Sequence, residues 1–357
     1  MRILIVRLGS IGDIVHALPA LAAMKRALPH AEISWVVEKR AAEILRDNHL
    51  LNRLIEVDTR ALRRWSVFGE TLLAPRQQLR RLRASAFDLT LDFQGLIKSA
   101  AIARLSGAAR RYGYAPEALR EPLSRLLLTD TVPVPLDKNI VYKGLALAAG
   151  ALGIAVPTHP GEFEFPIAIT REHEREAEEA AGANGPFAIL NPGGGWPTKL
   201  WSAERYGALA DQIWAHFGLR SIVTYGPGER ALADAALQAS RTGAARAASL
   251  SLKGFYALCR RAKLYVGGDT GPTHLAVAAG TPVVGLFGPT EWWRNGSPRA
   301  EDLCVERDEI GCRTDCNRRS CGKWICMDIE VERVLRAVEE RLRRAGGRKR
   351  IERVTVA

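Results

Sequence analysis

No apolar run in this 357-residue chain reaches the roughly 18 residues that a membrane-spanning helix needs, which argues against such a span. The opening Met1-Arg2-Ile3-Leu4-Ile5-Val6-Arg7 could pass for a signal peptide, but Arg7 and Asp13 interrupt it, and strand, loop and helix fit the pattern better. The cytoplasm is therefore the expected compartment. No Asp-x-Asp pair occurs, so a divalent metal bridging a diphosphate has no obvious ligands, and metal-independent chemistry is expected. The three-glycine dinucleotide fingerprint is incomplete. Gly9 and Gly12 are present, and only Glu38 offers an acid near the end of the second strand, so a hydride-transfer domain is disfavoured. Cysteine is scarce, and four of the six fall at Cys312, Cys316, Cys321 and Cys326. Acid is nearly absent between Arg60 and Arg83, where seven arginines accompany the single Glu70.

What is present describes a globular protein with 47% hydrophobic and 25% charged residues, long enough for two domains that each bury a core. A net charge of +12 invites an anionic partner: nucleic acid, acidic lipid or a phosphorylated substrate. Nucleic acid is disfavoured because no recognisable reading motif accompanies the charge. The arginines of residues 60–83 are interleaved with Leu62, Trp65, Val67, Phe68, Leu72 and Leu73. Such a basic amphipathic stretch suits an anionic membrane surface, although a solvated helix with a core-facing stripe has the same pattern. A second basic cluster, Arg341 to Arg353, reads as a frayed tail.

Strands and helices alternate along both halves. Residues 3–6, 33–37 and 89–93 read as strands, with helices over 14–27 and from Lys98. Proline and glycine accumulate over 132–166, which places a boundary near residue 165. The alternation then restarts, with strands at 187–190 and 221–225 and helices at 203–217 and 229–239. The expectation is α/β: two Rossmann-like doubly wound domains, 1–165 and 166–330, facing across a cleft, followed by a helix and basic tail over 331–357.

Four glycine-containing loops carry the candidate chemistry. Gly267-Gly268-Asp269-Thr270-Gly271-Pro272-Thr273-His274 lies between an apolar strand and a helix opened by an Asp or Thr cap and an early proline. The first amides of such a helix favour a phosphate. Asn191-Pro192-Gly193-Gly194-Gly195-Trp196-Pro197-Thr198-Lys199 follows a strand, and its glycines let backbone approach a ligand while Lys199 adds a charge. Together these look like a phosphate cradle, though not with P-loop spacing. Glu229, after Tyr225-Gly226-Pro227-Gly228, reads either as a ribose ligand or as a first-turn helix acid. In Arg7-Leu8-Gly9-Ser10-Ile11-Gly12-Asp13, Asp13 is either a helix cap or a general base at the mouth of a cleft.

The run from Arg2 to His16, Asp92-Phe93-Gln94-Gly95-Leu96-Ile97-Lys98-Ser99-Ala100 and Gly268-Asp269-Thr270-Gly271-Pro272-Thr273-His274 together resemble the bacterial heptosyltransferases of glycosyltransferase family 9. Trp35-Val36-Val37-Glu38 and Arg120-Glu121-Pro122-Leu123 resemble the branch acting on the Kdo sugar of Kdo-lipid A. The resemblance runs from residue 1 to about 340 and implies a glycosyltransferase B fold. It implies inverting transfer of heptose from ADP-heptose to Kdo-lipid A, at the cytoplasmic face of the inner membrane and without a cofactor. Carried over by motif, Asp13 is the base, and Lys199 neutralises the leaving pyrophosphate with help from the amides of Thr270 and Gly271. Gly194, Asp269, His274 and Glu229 belong to the donor pocket. Lys98 and Arg120, with Arg60, Arg63 and Arg64, face the anionic acceptor. The alternatives are a family member adding a second heptose and a non-transferase sugar-nucleotide enzyme of the same fold.

The cysteines stay open between a structural metal site (zinc first), disulfides and loose thiols. Four clustered thiols in a cytosolic protein favour zinc over disulfides, but the C-x3-C-x4-C-x4-C spacing is not that of a standard zinc knuckle. Cys259 and Cys304 read as ordinary buried thiols.

Overall fold

The computed structural model describes residues 1–58, 82–182, 185–312, 316 and 318–354. The chain divides into two compact units, Met1–Ala168 and Ile169–Ala357.

In the first unit the described residues form a parallel sheet of β1 (Arg2–Val6), β2 (Glu32–Glu38), β3 (Arg53–Val57), β4 (Leu89–Asp92), β5 (Arg110–Tyr114) and β6 (Asp130–Val132), in the order β3-β2-β1-β4-β5-β6. Strand β1 is buried on both faces; Ile3, Leu4, Ile5 and Val6 are all within 1% of full burial. That is why it reads as a continuous apolar run and not as an alternation. Each such side chain stabilises the fold by about 1.5–3 kcal/mol. Helices α1 (Ile11–Ala27), α2 (Ile97–Leu105) and α3 (Ile140–Leu152) flank the sheet, α1 packing on α3. Helix α1 starts three residues earlier than its apolar pattern suggests because Ser10 caps it: the Ser10 N–H donates to Asp13 Oδ2 at 2.7 Å.

The second unit repeats the plan. Helices α4 (Arg171–Ala181), α5 (Ala203–Phe217), α6 (Arg230–Ala239), α7 (Leu252–Arg261) and α8 (Gly271–Ala278) alternate with β7 (Phe187–Asn191), β8 (Arg220–Thr224), β9 (Ala245–Ala248) and β10 (Leu264–Gly268). Strands β11 (Val283–Leu286) and β12 (Leu303–Val305) complete a parallel sheet in the order β12-β11-β10-β7-β8-β9. Its core includes Trp201, stacked edge-on against Tyr206 at 4.8 Å, with the indole N–H donated to Ile329 O at 2.8 Å.

Both sheets are therefore doubly wound with one topology. The order reverses between β1 and β4 in the first unit and between β7 and β10 in the second. Ligands bind outside the carboxyl ends of strands at such switch points, and the glycine-rich loops after β1, β7 and β10 leave strands that flank one.

The basic end of the chain departs from a frayed tail. Helix α9 (Val331–Val354) packs on α5, β11 and β12. Arg341 is buried, its Nε 2.8 Å from Asp302 Oδ1. Asp302 also accepts the Val283 N–H at 3.0 Å, so this arginine fixes β11 from the helix. Charge alone could not distinguish a buried ion pair from a solvated run.

Candidate active site

In the first unit Gly9 carries φ +148°, a conformation that glycine allows and side chains avoid. The turn it makes returns Asp13 toward Arg7. Arg7 Nη2 donates to Asp13 Oδ1 at 2.5 Å, and Nη1 donates to the Phe93 carbonyl. Asp13 Oδ2 takes the Ser10 N–H at 2.7 Å and the Ser10 hydroxyl at 3.2 Å. Burial would push the Asp13 carboxyl up, but Arg7, the Ser10 N–H and His16 outweigh it and hold the pKa below the ordinary value. With 38% of its side-chain surface open, Asp13 keeps a face for a ligand.

Sequence reasoning did not foresee the brace around this carboxylate. Gln94, after β4, accepts the Leu8 N–H at 2.7 Å and donates to Gly9 O at 3.0 Å, tying the two switch-point loops together. Asp92, fully buried, accepts from the amides of Gln94 (2.9 Å) and Gly95 (3.2 Å) and from the Ser99 hydroxyl (2.9 Å). Burial raises its pKa to about 6 against those hydrogen bonds and Arg7. The signal in the sequence was a charged residue, Arg7, at the end of an otherwise apolar strand.

Lys98 and Arg120 are both exposed, and the segments that carry them are hydrogen-bonded to each other. Glu121 donates its N–H to Gly95 O at 3.2 Å, and its carboxylate takes the Ile97 N–H at 2.7 Å, so the segment after Arg120 lies along the start of α2. Arg60, Arg63 and Arg64 lie outside the described residues.

In the second unit Lys199, Asp269 and His274 meet. Lys199 Nζ is 2.6 Å from Asp269 Oδ2 and 4.2 Å above the Trp196 ring. His274 Nε2 is 3.3 Å from Asp269 Oδ1, and the Thr290 hydroxyl donates to Oδ2 at 2.7 Å. Asp269 is only 8% exposed; burial would raise its pKa, but His274 and Lys199 hold it well below the usual carboxylate range. Thr290, on the loop after β11, was not foreseen.

Thr270 is the N-cap of α8, with φ −142° and ψ 166°. By the geometry of a helix start, the first-turn amides have no acceptor within the helix, so they and Lys199 present positive charge to one place. Glu229 is more than a first-turn acid. Its Oε1 accepts the Gly194 N–H at 3.0 Å and its Oε2 the Gly226 N–H at 2.9 Å, clamping two loops. A Cβ on Gly193 would stand 2.3 Å from Glu229 Oε2. Each carboxylate oxygen retains a lone pair for a hydroxyl.

A cationic amine, helix amides and a carboxylate on glycine loops at a switch point suit a nucleoside diphosphate. Residues 76–323 match the model of glycosyltransferase family 9 (heptosyltransferase). The chain belongs to that family.

Among family relatives, the chain is 33% identical to the lipopolysaccharide heptosyltransferase 1 of Pseudomonas aeruginosa over 293 residues, covering 81% of this chain and 79% of the relative. It is 30% identical to the Escherichia coli K12 protein of the same name over 296 residues, 82% of this chain and 89% of the relative. Of solved structures, E. coli heptosyltransferase WaaC with ADP superposes with a TM-score of 0.72 at 27% identity, covering 97% of this chain and 99% of that one. The same enzyme with ADP-2-deoxy-2-fluoro heptose gives a TM-score of 0.73 at 26% identity over 95% and 99%. As expected, the fold of this family member is that of the glycosyltransferase B class, built from two Rossmann-like units.

Proposed function

We propose that this protein transfers heptose from ADP-heptose to the Kdo sugar of Kdo-lipid A in lipopolysaccharide core synthesis, with inversion and without a catalytic metal. The observation that carries this reading is the Lys199–Asp269–His274 group at the start of α8, in a chain 33% and 30% identical to two proteins named lipopolysaccharide heptosyltransferase 1. The fold alone does not separate this activity from other sugar-nucleotide chemistry; the relatives' names favour transfer to lipopolysaccharide.

The second unit binds the donor. The Thr270 and Gly271 amides and Lys199 take the diphosphate, and their fixed positive charge stabilises the ADP leaving group as its bond to the sugar breaks. Asp269 holds Lys199 in place, His274 and Gly194 line the pocket, and Glu229 takes a ribose hydroxyl.

The first unit binds the acceptor. Asp13, ionised at neutral pH, accepts the proton of the attacking acceptor hydroxyl as the new bond forms on the face opposite ADP. Arg7 and Ser10 fix the direction of the carboxylate. Lys98 and Arg120 meet the acidic groups of the acceptor, together with Arg60, Arg63 and Arg64. Close to Arg120 and Arg125, Leu123 and Leu126 are 68% and 73% exposed, and Ile97 is 43% exposed. Apolar tips among arginines suit a peripheral seat on an anionic bilayer, here the cytoplasmic face of the inner membrane.

The test is ADP release from ADP-heptose with and without Kdo-lipid A, for wild type beside Asp13→Ala. Acceptor-dependent release that vanishes in the variant is expected. Release independent of acceptor, or none while ADP still binds, removes the acceptor assignment.

A further inference from the structure

The peptide between Gly9 and Ser10 is held at both ends by side chains. Its N–H donates to Asp13 Oδ2 at 2.7 Å, and its carbonyl accepts from Gln94 Nε2 at 3.0 Å. Gln94 Oε1 accepts the Leu8 N–H at 2.7 Å. A backbone N–H only donates and a carbonyl only accepts, so these partners fix which way round the Gln94 amide lies. One amide thus spans two consecutive peptides of the loop, and the second of them holds the Asp13 carboxylate.

Gln94 is itself fixed. Its backbone N–H donates to Asp92 Oδ1 at 2.9 Å, and the fully buried Asp92 is tied in turn to Gly95 and Ser99. The preceding residue holds the other oxygen of Asp13: Phe93 O accepts from Arg7 Nη1, and Arg7 Nη2 donates to Asp13 Oδ1 at 2.5 Å. The Tyr114 hydroxyl donates to the same Phe93 carbonyl at 3.2 Å. The Ser10 amide and the Arg7 guanidinium, one on each oxygen of Asp13, therefore both lead back to the turn after β4.

We infer that Gln94 is a positioning residue of the transfer reaction: it pins the Gly9–Ser10 peptide and through it sets the direction of the Asp13 carboxylate. A carbonyl that accepts a hydrogen bond polarises its amide, so the Ser10 N–H donates more strongly with Gln94 in place. Gly9, at φ +148° and without a side chain, gives the loop no other restraint of its own. A base misplaced by about 1 Å can lose about 10²-fold in rate. The inference rests on Asp13 being the base.

Gln94→Met is close in volume and removes both hydrogen bonds to the loop. It should lower kcat by about 10- to 100-fold, the cost of a misaimed group. The KM of each substrate and the ADP affinity by calorimetry should stay within about twofold, because binding contacts are kept. Arg7, His16 and Tyr114, whose charges act on or feel Asp13, are all retained. A weaker Ser10 donor should therefore move the acid limb of kcat/KM to higher pH, which mere loosening of the fold would not do. On an Asp13→Asn background the same substitution should change kcat by less than about threefold, since effects exerted through one group do not add. If Gln94→Met does not fold, Gln94→Asn, a methylene too short to span both peptides, takes its place. Wild-type kcat with an unmoved limb overturns the inference, and so does an equal loss on both backgrounds. Wild-type kcat in Asp13→Asn alone removes Asp13 as the base and the role of Gln94 with it, so the two failures are told apart by which variant keeps its rate.

Discussion

Lys199 Nζ and Asp269 Oδ2 stand 2.6 Å apart, with 12% and 8% of their side chains exposed. The carboxylate does not simply cancel the amine. It also takes His274 and the Thr290 hydroxyl, so it aims Lys199 from a fixed point while the first amides of α8 lie alongside.

Removing the amine removes a charge-assisted contact to phosphate, worth about 1.5–3 kcal/mol. Lys199→Ala should therefore weaken ADP binding by about 10- to 100-fold by calorimetry and lower kcat. Asp269→Asn keeps the amine but loosens its aim, so a smaller loss of affinity is expected. An affinity for ADP equal to wild type in Lys199→Ala would take the lysine out of the site.

For Asp13 the expected split is between chemistry and binding. Asp13→Asn should lower kcat by about 10²- to 10⁴-fold, the usual contribution of a positioned base, and leave ADP affinity unchanged. Parallel loss of ADP affinity would make Asp13 a helix cap and nothing more. Arg7 depresses the Asp13 pKa, so in Arg7→Met the acid limb of the kcat/KM profile should move to higher pH. An unmoved limb would show that a different group titrates there.

Much of this site was legible in the sequence, because strand, glycine loop and helix start are local signals. Gly193 to Lys199 and Asp269 to His274 are each read from one short segment. The braces were not legible. Gln94 reaches the Leu8 amide across 86 residues, a contact that exists only because the sheet order sets β1 beside β4. Thr290 reaches Asp269 from the loop after the neighbouring strand, and Arg341 pairs with Asp302 from the last helix. Pairing order is a property of the whole sheet, and no window of sequence contains it.

The glycine loop gives a paired test of close approach. Gly193→Ala puts a methyl 2.3 Å from Glu229 Oε2, which must displace the carboxylate from the Gly194 and Gly226 amides. ADP affinity should fall at least tenfold and thermal stability should drop. Gly195→Ala meets nothing within 4 Å and should change neither. Equal behaviour of the two variants in calorimetry and melting would show that Glu229 does not hold the loop.

Asp92 ties pH to stability. Its folded pKa is about 6 and its ordinary value 3.8, so the folded chain holds the proton more tightly than the unfolded one. The stabilisation from protonation is full below 3.8 and is lost as pH rises through about 6. At about 1.4 kcal/mol per pKa unit, the difference amounts to roughly 3 kcal/mol. Asp13, with its lowered pKa, works in the opposite sense, losing stabilisation as pH falls through its folded value. The two separate by mutation. Asp92→Asn keeps one oxygen acceptor but cannot titrate, so denaturant unfolding between pH 4 and pH 7 should lose the Asp92 component and become more stable toward pH 7 relative to wild type. If the difference between Asp92→Asn and wild type is the same at every pH in that window, Asp92 titrates at its ordinary value, and the buried brace between the two loops carries no coupled proton.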